Sequence, residues 1–436
     1  MDNKKLPKIL VIGINSWRDN TGINTLINFF KGWDKENLAH LYTKSNLPKT
    51  EICDTFFRIS ENLVIKSVFK RDTKTGSIVQ NETVVSDEDK KSAEEEKKRY
   101  ANKGKSSVLL SVCRELVWKF GRWKTKELDE FIQNYDADVL FLPVYPTIYM
   151  CRIQKYIMKK TGKPSVTYLA DDNYTYKSVS KNPLALLHRF FLRRYVKYIV
   201  KESKQLMVIA PKQKEEYDKI FDKDSVILTK GIDFSDLEFE PKQVSNPIKM
   251  VYTGKLIIGR DRSLSLIADA LGEINKNVTR LELDIYTTDT LSKKQQSALN
   301  RNGCSVKGAL ALDEVQAVQK AADILVFVEG LENKHKNVAR LSFSTKITDY
   351  LKSGKCIFAI GDRTIAPIDY FNRYDSAITA SSCDEVCKKL NEIIDNPELI
   401  NSYGEKAFNC GKENHDTYEM DKLLKSTIIG ILTEDK

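Results

Sequence analysis

Residues 249–264, KMVYTGKLIIGRDRSL, decide how the chain folds. An apolar run of strand type at 249–253 stops at Gly254, and a loop holding Gly259 leads into a helical pattern from about Ser263. Strand, glycine loop and helix in that order imply a parallel sheet covered by helices. The loop also delivers Lys255, Arg260 and Arg262 to the junction, where cationic side chains suit a diphosphate. Gly-x-x-x-x-Gly without Gly-Lys-Ser/Thr is not a P-loop. No Gly-x-Gly-x-x-Gly follows Ile12 either, which counts against a dinucleotide dehydrogenase.

The same alternation extends both ways. Downstream, strands are expected at 281–286, 324–328, 357–360 and 377–379, with helices at 263–274, 292–300, 312–321, 345–352 and 383–394. Upstream, strands at 8–14, 38–43, 139–142, 166–170, 206–210 and 226–228 alternate with helices at 23–30, 148–160, 184–202 and 212–220. The fold class is therefore α/β: two successive doubly wound domains, 1–236 and 247–415, with a polar, proline-containing linker at 238–247. A last helix within 416–436 must pack on one domain or the other. The segment 86–105, dense in both charge signs, reads as an exposed helix or an insertion.

In 436 residues, 41% are apolar and 30% charged, the make-up of a globular protein with real cores. No run approaches the roughly 18 apolar residues of a membrane span, and the first apolar run ends at Gly13-Ile14-Asn15 without a cleavage signal. A cytoplasmic location is expected. Cys383 and Cys387 have no nearby histidine and read as one face of a helix, so reduced structural thiols and no metal are expected.

The net charge of +10 is concentrated in two segments. CRELVWKFGRWKTK (113–126) holds five bases and one acid, a surplus of four; KNPLALLHRFFLRRYVKYIVKESK (181–204) holds seven and one, a surplus of six. Those surpluses sum to the whole excess. Two basic-aromatic helices point to an anionic membrane surface rather than to nucleic acid. Leu187, Phe191, Tyr195 and Tyr198 form one helical stripe flanked by Arg193, Arg194 and Lys197, and core packing of that stripe is the competing account.

Parallel sheets bind ligands beyond the carboxyl ends of their strands. The richest segment there is RLSFSTKITDYLKSGK (340–355). Ser342 or Ser344 can cap a helix whose first turn, with Thr345, offers N–H groups to an anion, and Lys346 adds a charge. Asp349 falls on the same face. An ordinary capped helix with a surface lysine fits the spacing equally well. In the first domain Asn15, the Thr21-Gly22 turn, Asp171, Asp172 and Tyr174 follow strands, and the two acids are either functional or a turn. Asp136-Ala137-Asp138 has Asp-x-Asp form but directly precedes a strand, so a turn into that strand is the better account.

These residues carry a resemblance. TGKLIIGRDRSL and FSTKITDYLKSGKCIFAIG are similar to the donor-binding loop and helix of GT-B glycosyltransferases, most of all glycosyltransferase family 4 of bacterial capsule and exopolysaccharide assembly. Weaker echoes are VTYLADDNYTY, LMVIAPKQKEEYDKIF and ILTKGIDF. The resemblance implies two Rossmann-like domains facing a central cleft, an acceptor-binding first domain and a donor-binding second one. It implies transfer of a sugar from a nucleotide-diphosphate donor to a glycan or lipid-linked acceptor, retaining and without a metal or cofactor. Arg260 and Lys346 would stabilise the leaving diphosphate with Gly254, Lys255, Ser344 and Thr345 around it, and Asp349 would hold the ribose. Asp171 and Asp172 would meet the acceptor or the sugar, and Asn15, Thr21, Gly22 and Tyr174 would line the acceptor side. The family has two glutamates on the donor helix; Asp349 stands at the second and Leu341 at the first. That departure keeps open an inactive accessory subunit that holds a partner transferase or an acceptor.

Overall fold

The computed structural model describes residues 5–19, 25–81 and 108–433. The charged segment at 86–105 lies outside them. The chain forms two compact units, one of Met1–Ile209, Lys214–Thr229 and Met420–Lys436, the other of Ala210–Gln213 and Lys230–Glu419.

The first unit holds β1 (Ile9–Ile12), β2 (Leu38–Tyr42), β3 (Thr55–Ile59), β4 (Gly76–Val79), β5 (Val139–Pro143), β6 (Ser165–Leu169), β7 (Gln205–Val208) and β8 (Val226–Ile227). They form one sheet in the order β4-β3-β2-β1-β5-β6-β7-β8. Among the described residues every pairing is parallel except β3 with β4. β1 (ILVI) and β5 (VLFLP) are buried at every position, as helices on both faces of a parallel sheet require. Gln154, fully buried, donates through Nε2 to the carbonyls of Ile12 and Pro143 at 3.0 and 2.9 Å, tying the ends of those strands together.

The second unit holds β9 (Ile248–Thr253), β10 (Leu281–Tyr286), β11 (Cys304–Gly308), β12 (Ile324–Val328), β13 (Cys356–Ile360) and β14 (Ile378–Ala380). Their order is β11-β10-β9-β12-β13-β14, all parallel. β12 and β13 are buried throughout, whereas LELDIY of β10 alternates buried Leu281, Leu283 and Ile285 with more exposed residues. β3, β4 and β11 are short elements that the apolar runs did not announce.

The boundary differs from the expected one. The chain leaves the first unit after Thr229, and 238–247 is not a free linker but part of the second unit. Its polar residues are spent on fixed bonds: Lys242 and Asn401 exchange two hydrogen bonds of 3.0 Å, and the Ser245 N–H reaches Asp323 at 3.3 Å. The final helix, Thr417–Thr433, buries Leu424, Ile428 and Ile431, and from Met420 onward it belongs to the first unit. Cys383 and Cys387 both lie on the helix Cys383–Asp395 with free thiols.

Asp323 also accepts the Lys249 N–H at 2.8 Å, so one largely buried carboxylate satisfies two backbone donors at the start of β9. Its loss strands both donors. Asp323→Ala is expected to lower the free energy of unfolding by about 2–3 kcal/mol in urea titration. Asp323→Asn, which keeps the side-chain volume and one acceptor oxygen, should lose less; equal losses in the two variants would mean that a single acceptor oxygen rescues neither donor.

Candidate active site

The second sheet turns back on itself between β9 and β12, where the order of addition reverses and the loops diverge. Gly254 follows β9 and Glu329 follows β12. The helix Arg260–Ile274 begins with Arg260, whose Nε and Nη2 donate to Glu329 Oε2 and Oε1 at 3.1 and 2.7 Å. Glu329 is only 4% exposed, and its own carbonyl accepts from Ser263 Oγ at 2.7 Å. The bidentate pair uses one edge of the guanidinium and leaves the Nη1 edge for a ligand.

Lys346 completes the cluster from the helix Thr345–Lys352. Ser344 caps that helix, its Oγ accepting the Lys346 N–H at 3.4 Å. The Lys346 ammonium donates to the Thr253 carbonyl at 2.7 Å and lies 5.5 Å from the Tyr252 ring centre. Burial, reinforced by the charge of Arg260 and opposed by Glu329, pushes its pKa down to about 8. Two cations and one carboxylate leave the cluster with one net positive charge.

The backbone is shaped around this ammonium. A Cβ at Gly254, where φ is +151°, would collide with Lys346 Nζ. Ile258 has φ +61°, a left-handed conformation that a β-branched residue adopts only at a cost of about 1–3 kcal/mol. Gly259 follows at φ +77° and caps the Arg260 helix. The cost is concentrated in the loop that presents Arg260.

Of the expected donor residues, Arg260, Lys346, Gly254, Ser344 and Thr345 come together. Lys255 does not: its side chain is exposed, and only its carbonyl is engaged, by the Tyr252 hydroxyl at 2.7 Å. Asp349 is exposed at the far end of the same short helix, paired with Lys230 at 2.5 Å. Leu341 is fully buried and packs in the core. Glu329 stands just past a strand end, where parallel sheets bind ligands, but its pairing with Arg260 is not legible in the sequence. Its signal was an acid placed directly after the unbroken apolar run 324–328, at the strand beside β9.

The first unit alters several expectations. Asn15 is exposed just beyond β1, and Asp171 is exposed beyond β6, whereas Thr21 and Gly22 lie outside the described residues. Asp172 is a buried organiser of its loop rather than a group facing a substrate. It accepts the Thr175 N–H at 2.8 Å and the Tyr217 hydroxyl at 3.1 Å, and takes a short bond from Thr175 Oγ1. Tyr174 is buried between Phe221, 4.7 Å between ring centres, and the Arg193 guanidinium at 4.0 Å, so neither face is open for stacking. Arg193 also donates to the Tyr174 carbonyl at 2.8 Å and is therefore committed to this loop. Asp136 is a left-handed helix cap paired with Lys163, and Asp138 takes the Lys8 N–H, as a turn into β5 requires.

Two Rossmann-like parallel-sheet units in succession constitute the GT-B type of fold. Solved structures similar to this chain include sucrose-phosphate synthase from Thermosynechococcus elongatus, with TM-score 0.59, 9% identity, and coverage of 98% of this chain and 100% of that one. HepE from Anabaena, in complex with UDP and glucose, gives TM-score 0.61 at 10% identity, over 97% of this chain and 100% of that one. A trehalose-phosphate synthase from Burkholderia vietnamiensis gives 0.56 at 8%, over 98% and 100%. No family model matches the chain, and no curated protein matches it in sequence.

The packing of Gly254 against Lys346 makes a specific double-mutant cycle. Gly254→Ala alone is expected to cost about 2–4 kcal/mol, combining overpacking with the strain of φ +151°. In a Lys346→Ala background the same change should cost at least about 1 kcal/mol less, because the colliding ammonium is gone. Strict additivity in urea unfolding would show that the two residues do not compete for one space.

Proposed function

We propose that the chain is a glycosyltransferase that uses a nucleotide-diphosphate sugar. The observation that carries this reading is the convergence of Arg260 and Lys346 on the crevice between β9 and β12. The diphosphate sits between the Arg260 Nη1 edge and the Lys346 ammonium, near the first turn of the helix Thr345–Lys352, with Ser344 and Thr345 at its start. When the anomeric C–O bond breaks, the electron pair passes to the leaving phosphate oxygen, and cations already in place stabilise that charge. The acceptor hydroxyl forms the new C–O bond, and its proton leaves with the nucleoside diphosphate. Glu329 holds the Arg260 fork in orientation without touching the ligand. Asp349 releases Lys230 to meet the ribose.

The mechanism proposed is retaining and needs no metal or cofactor. The acceptor, a glycan or lipid-linked sugar of bacterial surface polysaccharide synthesis, is taken by the first unit, past the strand ends where Asn15 and Asp171 are exposed. The protein works in the cytoplasm, peripheral to an anionic membrane surface. Support for a uridine nucleotide comes from HepE, whose structures hold UDP or UDP-glucose.

Thermal unfolding against UDP, GDP, dTDP and CMP tests the donor site. A nucleotide at a hundred times its dissociation constant should stabilise the fold by about 2.7 kcal/mol. Lys346→Ala and Arg260→Ala should each abolish the shift; no shift with any nucleotide in the parent overturns the reading.

The depressed lysine gives a second test. Below pH 8 Lys346 is charged and attracts the diphosphate; above it the free protein must take up a proton to bind. Nucleotide affinity should therefore fall up to tenfold per pH unit above about 8 and flatten once the bound-state pKa is passed. Lys346→Met should remove that dependence; an unchanged profile in the variant would assign it to another group.

A further inference from the structure

The first unit has a concave surface unrelated to its strand ends. A groove of about 520 Å³ runs between the helices Ile148–Thr161 and Pro183–Glu202, and five of its lining residues are cations: Lys124, Arg152, Lys155, Lys159 and Arg194. The rest are aromatic: Trp123, Tyr156, Phe191 and Tyr195. No acid lines it. The carboxylate nearest to Tyr156, Asp129, is consumed by Lys160 at 2.7 Å and by the Tyr156 hydroxyl at 2.7 Å.

Three of these cations lie over rings, and among the described residues no counter-charge pairs with them. Lys155 lies 3.7 Å from the Tyr198 ring centre, Lys124 4.9 Å from that of Tyr156, and Arg194 4.4 Å from that of Phe190. A ring quadrupole orients a cation but leaves its net charge intact. The helix dipole accounts for Lys159 at a helix C-terminus; Arg152, in the second turn of the same helix, is on the wrong end for it. Arg152, Lys155 and Lys159 follow at intervals of three and four and so share one helical face.

Beside the groove the surface is apolar. Leu184, Leu187 and Phe191 lie on one face of the helix Pro183–Glu202 and are 40, 53 and 42% exposed, while Leu192, Val196 and Ile199 of the same helix form its buried stripe. The neighbouring helix Val108–Phe120 buries only Trp118 and exposes Leu109, Leu110, Leu116 and Phe120. Of the stripe expected from the sequence, Leu187 and Phe191 thus point outward, while Tyr195 and Tyr198 are half-buried.

We propose that this groove binds the phosphate of an anionic phospholipid headgroup while Leu184, Leu187 and Phe191 enter the lipid layer. An unneutralised cationic groove contiguous with an apolar ridge matches the two layers of such a surface, and free phosphate or nucleic acid would leave the ridge in water. The inference rests on the peripheral placement proposed above and gives it a site, moving the phosphate contacts from Arg193 to Arg152, Lys155 and Arg194.

The test is sedimentation of the full chain with phosphatidylcholine vesicles, with or without phosphatidylglycerol. The parent should partition onto the anionic vesicles and not the neutral ones. Arg152→Glu/Lys155→Glu should lower partitioning at least about tenfold, and Leu187→Gln should weaken it without altering its salt dependence. The unfolding midpoint and the nucleotide response, which belongs to the second unit, should be unchanged. A parent that ignores anionic vesicles overturns the peripheral placement itself. A parent that binds while the double variant binds equally well overturns the groove alone. Competition by soluble glycerol phosphate or duplex DNA at equal phosphate concentration also overturns the lipid assignment, because the ridge would then contribute nothing.

Discussion

The bond between Arg260 and Glu329 organises the second unit's functional end. A carboxylate with only 4% of its surface exposed is stable as an anion only when a cation and hydrogen bonds compensate its lost hydration. Arg260 supplies both through two parallel N–H groups, and in doing so fixes where its own helix starts. The loop before that helix must then reach back across Gly254, Ile258 and Gly259, and its positive φ values are the consequence. Lys346 meets the same constraint from the other side. Glu329 is bound to Arg260 and compensates it only in part, so the ammonium rests on the Thr253 carbonyl. Burial of an ammonium held by a carbonyl, next to the charge of Arg260, is the physical content of its lowered pKa.

Much of this could be read from the residues. Periodicity alone distinguishes two strand–helix series, and the central strands, buried on both faces, were legible because burial on both faces produces unbroken apolar runs. The segments 249–264 and 340–355 indicated the cluster because glycine, serine and cation stand where strands end and helices begin. Glu329 was less visible. Its role depends on the strand order β9-β12, a non-local pairing that no local pattern contains. β4 and β11 were missed for a related reason: they are short outer strands, only partly buried, and edge pairing demands little of side-chain pattern.

The errors in the first unit have one cause. Asp171-Asp172-Asn173-Tyr174 and Arg193 have the composition of a ligand site, and composition does not say whether polar groups are spent on each other. Here they are. The Asp172 carboxylate serves Thr175 and Tyr217, its carbonyl accepts from Arg189 at 2.9 Å, and Arg193 closes over Tyr174. The linker at 238–247 failed in the same way, since a polar, proline-containing stretch can be solvated or bound, and Asn401 and Asp323 bind this one.

Charge is handled differently in the two units, and the difference bears on what each can recognise. At β9 and β12 the cations are few, largely buried and partly compensated by Glu329 and a carbonyl. On the proposed donor-site reading, such a site selects a compact, doubly charged group that fits between them, because a misfitting anion would leave buried charge unpaired. In the groove of the first unit the cations are more numerous and more exposed, and rings orient three of them. Side chains of that kind tolerate phosphates at many positions and lose attraction as salt rises. On the two readings proposed here, one arrangement reads the shape of a single ligand and the other reads the sign of a surface.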